Sequence, residues 1–272
     1  LEQCEFGSYE DFLKNYRIVV PDHFNFAFDV LDAMARETPD APALAWCNPE
    51  GEAKTFTFAD ISRESNRCAN MLRSLGIKKG DVVMLVLKRH YEFWFAIMAL
   101  HKLGAVAVPA THLLTKKDIV YRANAADICA VIGTAQGAFA DQLDLALPEC
   151  PTLKHRIAAR GKRDGWLSFD DEMAGHAADF ERPLPLNENT DPLLIYFTSG
   201  TSGMPKMVLL DAAYPLGHIQ TAVYWQGCEE GGLHLTVSET GWAKSVWGKL
   251  YGQWLAGSAV MSYDFEKFVP AQ

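Results

Sequence analysis

The sequence has no C-x-x-C pair, no H-x-x-x-H spacing and no apolar run of bilayer length. Its six cysteines lie apart at 4, 47, 68, 129, 150 and 228, and its eight histidines are equally dispersed. A disulfide framework and a structural zinc site are therefore not expected, and the cysteines read as reduced thiols. The longest apolar run, Phe93 to Leu100, falls far short of the roughly 18 residues a membrane span needs. An excess of basic residues is missing too: 25 Lys and Arg face 34 Asp and Glu, a formal charge of −9. Such a balance argues against a nucleic-acid partner, which needs a basic footprint, but leaves room for a small anion held by a local loop. The first twenty residues carry Glu2, Glu5, Glu10, Asp11, Lys14 and Arg17, which is no signal peptide. A cytoplasmic protein without a membrane span is the expectation.

Against these absences stand 272 residues that are 49% apolar, enough for a sizeable core and, by length, about two structural units. From about residue 55, helical and extended patterns alternate. Thr57-x-x-Asp60 reads as a capping box, and Ile61, Cys68, Leu72 and Leu75 then share one helical face up to Gly76. Val82 to Leu87 is a continuous apolar run, as in a strand buried on both faces. Tyr91–Leu103 reads as a helix, Ala105–Val108 as a strand closed by Pro109, and Thr115 to Asp118 as a second capping box opening a helix to about Ala125. Ile128–Ile132 follows as a strand and Ala138–Leu147 as a helix. The alternation predicts an α/β protein with mostly parallel βαβ sheets. Residues 159–190, richer in charge, Pro and Gly, read as a surface connection between a first α/β unit over 24–158 and a second from 191. Residues 1–23 read as an N-terminal extension. Past 190, strands are expected at Leu193–Thr198, Met207–Leu210, Leu233–Val237 and Ala259–Met261. Helices are expected at Pro215–Trp225 and Ser245–Leu255, with a further start at Asp264.

The chemistry concentrates in Tyr196 to Lys206, YFTSGTSGMPK. A strand delivers this loop, Gly200 and Gly203 permit backbone N–H groups to converge, and Thr198, Ser199, Thr201 and Ser202 add four hydroxyls. Pro205 stiffens the exit and Lys206 supplies a compact positive charge. It is not a Walker A loop, because no Ser or Thr follows the lysine to meet a metal. By residue type alone it fits either a phosphate cradle or a flexible Gly/Ser turn.

The eleven-residue stretch closely resembles the phosphate-binding signature of the adenylate-forming superfamily, which includes acyl-CoA synthetases, peptide-synthetase adenylation domains and luciferases. Residues 56–85, 104–132 and 238–260 resemble further blocks of that family in order and spacing, so the likeness covers most of 24–268. The Thr240-Gly241-Trp242 run and the Trp-rich stretch after it are most similar to the acetyl- to medium-chain acyl-CoA synthetase branch.

The resemblance implies the large N-terminal domain of an AMP-forming ligase. A small carboxylic acid attacks ATP, with Mg²⁺, to give an acyl-adenylate, and the thiol of coenzyme A then displaces AMP. Thr198, Ser199, Gly200, Thr201, Ser202, Gly203 and Lys206 would bind the ATP phosphates, and residues 191–272 would open the AMP-binding unit. Trp242 matches a position near the acyl pocket, although an ordinary core tryptophan fits as well; Trp247 and Trp254 read as packing residues and Lys244 as a solvated charge. Glu239 stands where the family usually has Asp, and Leu209 to Ala213 departs from the usual link after the lysine strand. No catalytic residue and no metal ligand is identifiable, since the later family motifs have no counterpart before Gln272. The chain, which starts at Leu1, is expected to be the N-terminal portion of such an enzyme and to be inactive alone. A carrier-protein-linked adenylation domain and a non-catalytic nucleotide-binding remnant remain the alternatives.

Overall fold

The computed structural model describes residues 5–198 and 203–266. In chain order the elements are α1 (Tyr9–Asn15), α2 (Asp32–Glu37), β1 (Pro42–Cys47), β2 (Ala53–Thr57), α3 (Phe58–Ser74), β3 (Val82–Val86) and α4 (Glu92–Leu103). There follow β4 (Val106–Pro109), α5 (Lys116–Ala125), β5 (Ile128–Thr134), α6 (Ala138–Ala146), β6 (His155–Ala159), β7 (Leu167–Ser168) and α7 (Phe169–Ala174). The last elements are β8 (Pro192–Thr198), β9 (Lys206–Asp211), β10 (Leu233–Leu235), α8 (Ala243–Gly248), α9 (Tyr251–Leu255) and β11 (Ala259–Tyr263).

The strands form a 7-stranded sheet in the order β7-β6-β5-β3-β4-β8-β9 and a 4-stranded sheet in the order β10-β11-β1-β2. Every pairing is parallel except the β8–β9 hairpin and β1–β2, so the α/β, mostly parallel expectation holds. The apolar run of β3 explains the layering. Val83 and Leu85 point into one core with α3, α4, β1 and α9, while Met84 and Val86 point into the other with α5 and α6. All twelve residues of α4 are buried, polar Glu92, His101 and Lys102 included, which makes it the central helix between the sheets. No helix among the described residues is long and apolar enough to cross a membrane.

Local chemistry sets several boundaries as expected. Thr57 Oγ1 accepts from the Asp60 N–H (3.1 Å) while the Asp60 carboxylate accepts from the Thr57 N–H (3.0 Å), closing the capping box that starts α3. At α5 the Asp118 carboxylate instead takes both the Thr115 N–H (3.0 Å) and the Thr115 hydroxyl (2.6 Å).

Elsewhere tertiary contacts overrule the pattern. The single helix expected over Ser245–Leu255 is two short helices, because Lys249 and Leu250 leave helical geometry (φ/ψ −155/39 and −151/−82). The Gly248 carbonyl, freed from a helical partner, accepts from the Thr236 hydroxyl (2.6 Å), and that of Lys249 from Trp94 Nε1 (3.2 Å). Pro215–Trp225 is helical but irregular, wound tight over Tyr214–His218 and wide over Thr221–Trp225. Asp264 is not a helical start among the described residues. Its N–H donates to Cys47 O (2.8 Å) and its carboxylate meets Arg160 Nη1 (3.2 Å).

Residues 159–190 do more than connect. They carry β7 on the sheet edge and α7, whose Phe169 and Met173 are buried against α3, and the sheet runs on from β5 and β6 through to β8 and β9. The charge of this stretch reflects its edge position. Each sheet ends on a strand with exposed apolar side chains: Met207, Val208 and Leu209 on β9, Leu233 and Leu235 on β10.

Candidate functional site

β8 lies parallel to β4 (Ala107 opposite Leu194), so its carboxyl end at Thr198 stands at the same edge of the sheet as the carboxyl ends of β4, β3 and β5. Crevices at that edge are where open α/β sheets bind ligands. Of the expected phosphate-binding residues, Thr198 ends β8, Gly203 sits before β9 and Lys206 starts it; Ser199, Gly200, Thr201 and Ser202 lie outside the described residues. Thr198 Oγ1 donates to Lys206 O (3.4 Å), bracing the two strands. Gly203 has φ +120, a conformation that a side chain would strain. Tyr121 Oη donates to Pro205 O (2.8 Å), anchoring the exit of the loop to α5. Lys206 is exposed and has no ion pair among the described residues, which leaves its charge available to an anion.

Trp242 is 57% exposed, which removes the core-tryptophan alternative. It borders a cleft of about 600 Å³ whose other walls include Arg89, Val237, Ser238, Glu239 and Lys244. Trp254, by contrast, is buried with Nε1 on Ala43 O (3.0 Å), and Trp247 packs against Trp225, so both are packing residues. Lys244 is exposed at the mouth of the cleft.

Residues 236–242, which build the cleft, have little regular structure and are held by long-range hydrogen bonds. The Lys88 carbonyl, on a residue with left-handed backbone (φ 46), accepts from both the N–H (2.8 Å) and the hydroxyl (2.6 Å) of Thr240. Arg89 Nε donates to Val237 O (3.2 Å), and Lys249 Nζ reaches from the α8–α9 break to Ser238 O (2.6 Å). Gly241 lies flat on the chain after β4, where an added Cβ would stand 2.3 Å from the Ala110 carbonyl carbon.

Two titratable groups here were not assigned a role by the sequence. Lys249 is 1% exposed, and burial, reinforced by nearby Arg89, lowers its pKa to about 7 despite the opposing pull of Asp264 and Glu239. Glu239 is 6% exposed; one carboxylate oxygen accepts from the N–H and Nδ1 of His112 (3.1 Å each) and the other from the Thr111 hydroxyl (3.2 Å). Burial pushes the Glu239 pKa up, but the His112 and Thr111 contacts outweigh it and leave the carboxyl below its ordinary range. No sequence signal would have found His112, Lys88, Arg89 or Lys249, because their partners lie far away in the chain. Glu239 could have been flagged as a departure from the family pattern.

On the far side of the Glu239–His112 pair opens a second cavity of about 590 Å³, bordered by Lys88, His112, Thr115, Thr134, Gln142 and Glu266. It lies between the carboxyl ends of β3 and β5, neighbours whose following helices, α4 and α6, pack on opposite faces of the sheet. That arrangement is a topological switch point. The two cavities thus share a wall made by Glu239 and His112. Among the described residues there is no group of three or more His, Cys, Asp or Glu side chains that could hold a metal ion.

The AMP-binding enzyme family matches residues 31–271. The acyl-coenzyme A synthetase ACSM3, mitochondrial, of Pongo abelii is 33% identical over 273 residues, 97% of this chain and 46% of the relative. The acyl-coenzyme A synthetase ACSM5, mitochondrial, of Homo sapiens is 34% identical over 259 residues, 92% of this chain and 44% of the relative. The chain therefore spans about half the length of the curated relatives it matches. Among solved structures, the anthranilate CoA ligase AuaEII, determined with anthranoyl-AMP, shares the fold with a TM-score of 0.82 and 24% identity, covering 90% of this chain and 46% of that one. With the family matched over most of its residues, the chain belongs to the AMP-binding enzymes.

Proposed function

We propose that these residues are the nucleotide- and acid-binding part of an AMP-forming acyl-CoA synthetase. A carboxylic acid attacks the α-phosphorus of ATP, releasing pyrophosphate, and coenzyme A then takes the acyl group from the adenylate. The observation that carries this reading is spatial. The carboxyl end of β8, the Trp242 cleft and the β3/β5 crevice gather at one edge of one mostly parallel sheet, where two anions can be brought together. Lys206, Thr198 and the intervening residues through Gly203 would hold the phosphates, and their role is binding. Trp242 would line the acyl site. The names of the two curated relatives given above, both acyl-coenzyme A synthetases, support the same chemistry. Mg²⁺ would enter with ATP as the substrate complex.

The test is carboxylate-dependent ATP–pyrophosphate exchange by the full-length enzyme across short- and medium-chain acids, followed by discharge to coenzyme A, alongside calorimetric ATP binding to the 272-residue chain. No exchange with any acid and no ATP binding would overturn the reading. Exchange without discharge to coenzyme A would move it to a carrier-protein-linked enzyme. A cytoplasmic location, drawn from the composition, is part of the proposal. The relatives named above are mitochondrial, and recovery in an organelle fraction would overturn that part.

A further inference from the structure

The wall between the two cavities holds more than its architecture requires. A carboxylate that only tied the segment before α8 to the chain after β4 would be satisfied by the His112 N–H and the Thr111 hydroxyl. Glu239 also takes the ring Nδ1 of His112, on the same oxygen as the backbone N–H. The His112 side chain is 28% exposed, while that of Glu239 is 6% exposed. A buried carboxylate on Nδ1 selects the tautomer with the proton on Nδ1 and the lone pair on Nε2. Nε2 has no partner among the described residues, and His112 borders the crevice. An oriented imidazole on a substrate-sized cavity, backed by a buried carboxylate, is the arrangement that makes a histidine a proton acceptor.

We propose that Glu239 and His112 form a carboxylate–imidazole dyad whose Nε2 accepts the thiol proton of a coenzyme A arm entering through the crevice. The inference rests on the acyl-CoA synthetase reading. It adds the group that turns the thiol into a nucleophile at the wall that the crevice shares with the Trp242 cleft. In the step, the S–H bond breaks and its proton passes to Nε2 while sulfur bonds to the acyl carbon. The acyl C–O bond of the adenylate breaks, and AMP leaves with that electron pair. The pair is also placed to serve, because Glu239 faces the Trp242 cleft on one side and His112 the crevice on the other. The charged and titratable groups around it are Lys88 and Glu266, which pair with each other at the crevice, His90 on the chain leading into α4 with Asp264 beside it, Arg89 and Lys244 at the cleft, and buried Lys249, whose Nζ holds the neighbouring Ser238 carbonyl.

The thiolate absorbs in the ultraviolet, so coenzyme A bound to the 272-residue chain can be titrated against pH, with an S-alkyl coenzyme A as the blank. A saturating ligand removes differences in affinity. The bound thiol is expected to titrate at least one pH unit below the free thiol, roughly tenfold more thiolate at a given pH. His112→Gln should abolish this shift and Glu239→Gln should shrink it. Nitrogen NMR of labelled histidine should place the His112 proton on Nδ1 in the wild type, and Glu239→Gln should redistribute it to both tautomers. A bound thiol with the pKa of the free thiol, a shift that survives His112→Gln, or the absence of any coenzyme A signal would each overturn the proposal. A shift unchanged in Glu239→Gln would remove the dyad. The phosphate contacts proposed for ATP are Thr198 to Gly203 and Lys206, so ATP binding measured on the same samples reports separately on the functional reading.

Discussion

Replacing Lys249 with methionine should stabilise the protein, and by an amount that depends on pH. In the folded chain its ammonium group has a pKa of about 7, against 10.5 for the ordinary side chain. A lowered lysine pKa means that the unfolded chain binds the proton more tightly. Below pH 7 the folded state must hold a charge it disfavours by roughly 4–5 kcal/mol. Between pH 7 and 10.5 the folded lysine is increasingly neutral while the unfolded one still binds its proton. The penalty therefore shrinks as pH rises, by roughly 2 kcal/mol between pH 7 and pH 9. Methionine has no charge to bury but leaves Ser238 O without its 2.6 Å partner, a pH-independent cost of about 1–3 kcal/mol. Lys249→Met should accordingly be more stable than the wild type by roughly 2–3 kcal/mol at pH 6, with the advantage fading or reversing by pH 9. Urea unfolding of both proteins at each pH measures the difference, and taking the difference cancels every group the two share. A methionine variant no more stable at pH 6, or a difference that does not change with pH, would refute the account of Lys249 as a buried, disfavoured charge.

Other consequences are as direct. Gly241→Ala places a methyl group 2.3 Å from the Ala110 carbonyl carbon, so the chain after β4 must move. Calorimetry should show a loss above about 3 kcal/mol, or no cooperative transition. Thr57→Ala opens the capping box of α3 and should cost about 1 kcal/mol in denaturant unfolding. Lys206→Ala, at an exposed site, should leave the melting temperature within about a degree while weakening ATP binding severalfold in titration calorimetry. Trp254→Ala removes a fully buried indole and its hydrogen bond to Ala43, and thermal unfolding should register about 3–5 kcal/mol.

What could be read from the residues was mostly what neighbours in sequence decide. The boxes at Thr57 and Thr115, the run Val82–Leu87 and the helix ending at Leu103 rest on interactions within a few residues, and their elements stand where the pattern put them. The strand Pro42–Cys47 escaped notice because its parallel partner is β11, with Leu44 opposite Val260. The break at Lys249 was hidden for the same reason. The spacing of Val246, Leu250 and Trp254 suits an unbroken helix, and only Thr236 and Trp94, remote in the chain, draw the carbonyls of Gly248 and Lys249 out of it. Buried lysines resist reading as well. Lys102 looks like a surface charge at the end of α4, yet its ammonium is closed in by Asp32 (2.8 Å) and Asn66 (2.5 Å). For the candidate site, residue type and spacing picked out Lys206 and Trp242, while the His112–Glu239 contact joins residues 127 positions apart.

The outer strands of the two sheets have a practical consequence for handling the protein. β9 and β10 each pair on one side only among the described residues, and each shows apolar side chains to water. A strand that docks there extends a sheet without disturbing its register, because the interior pairings are already made. These edges are thus growth points, and self-association should quicken with concentration and with salt that screens the acidic surface. A single lysine on the rim, as in Val208→Lys, should slow that process at little cost to the fold, as a gatekeeper charge does on the edges of natural sheets.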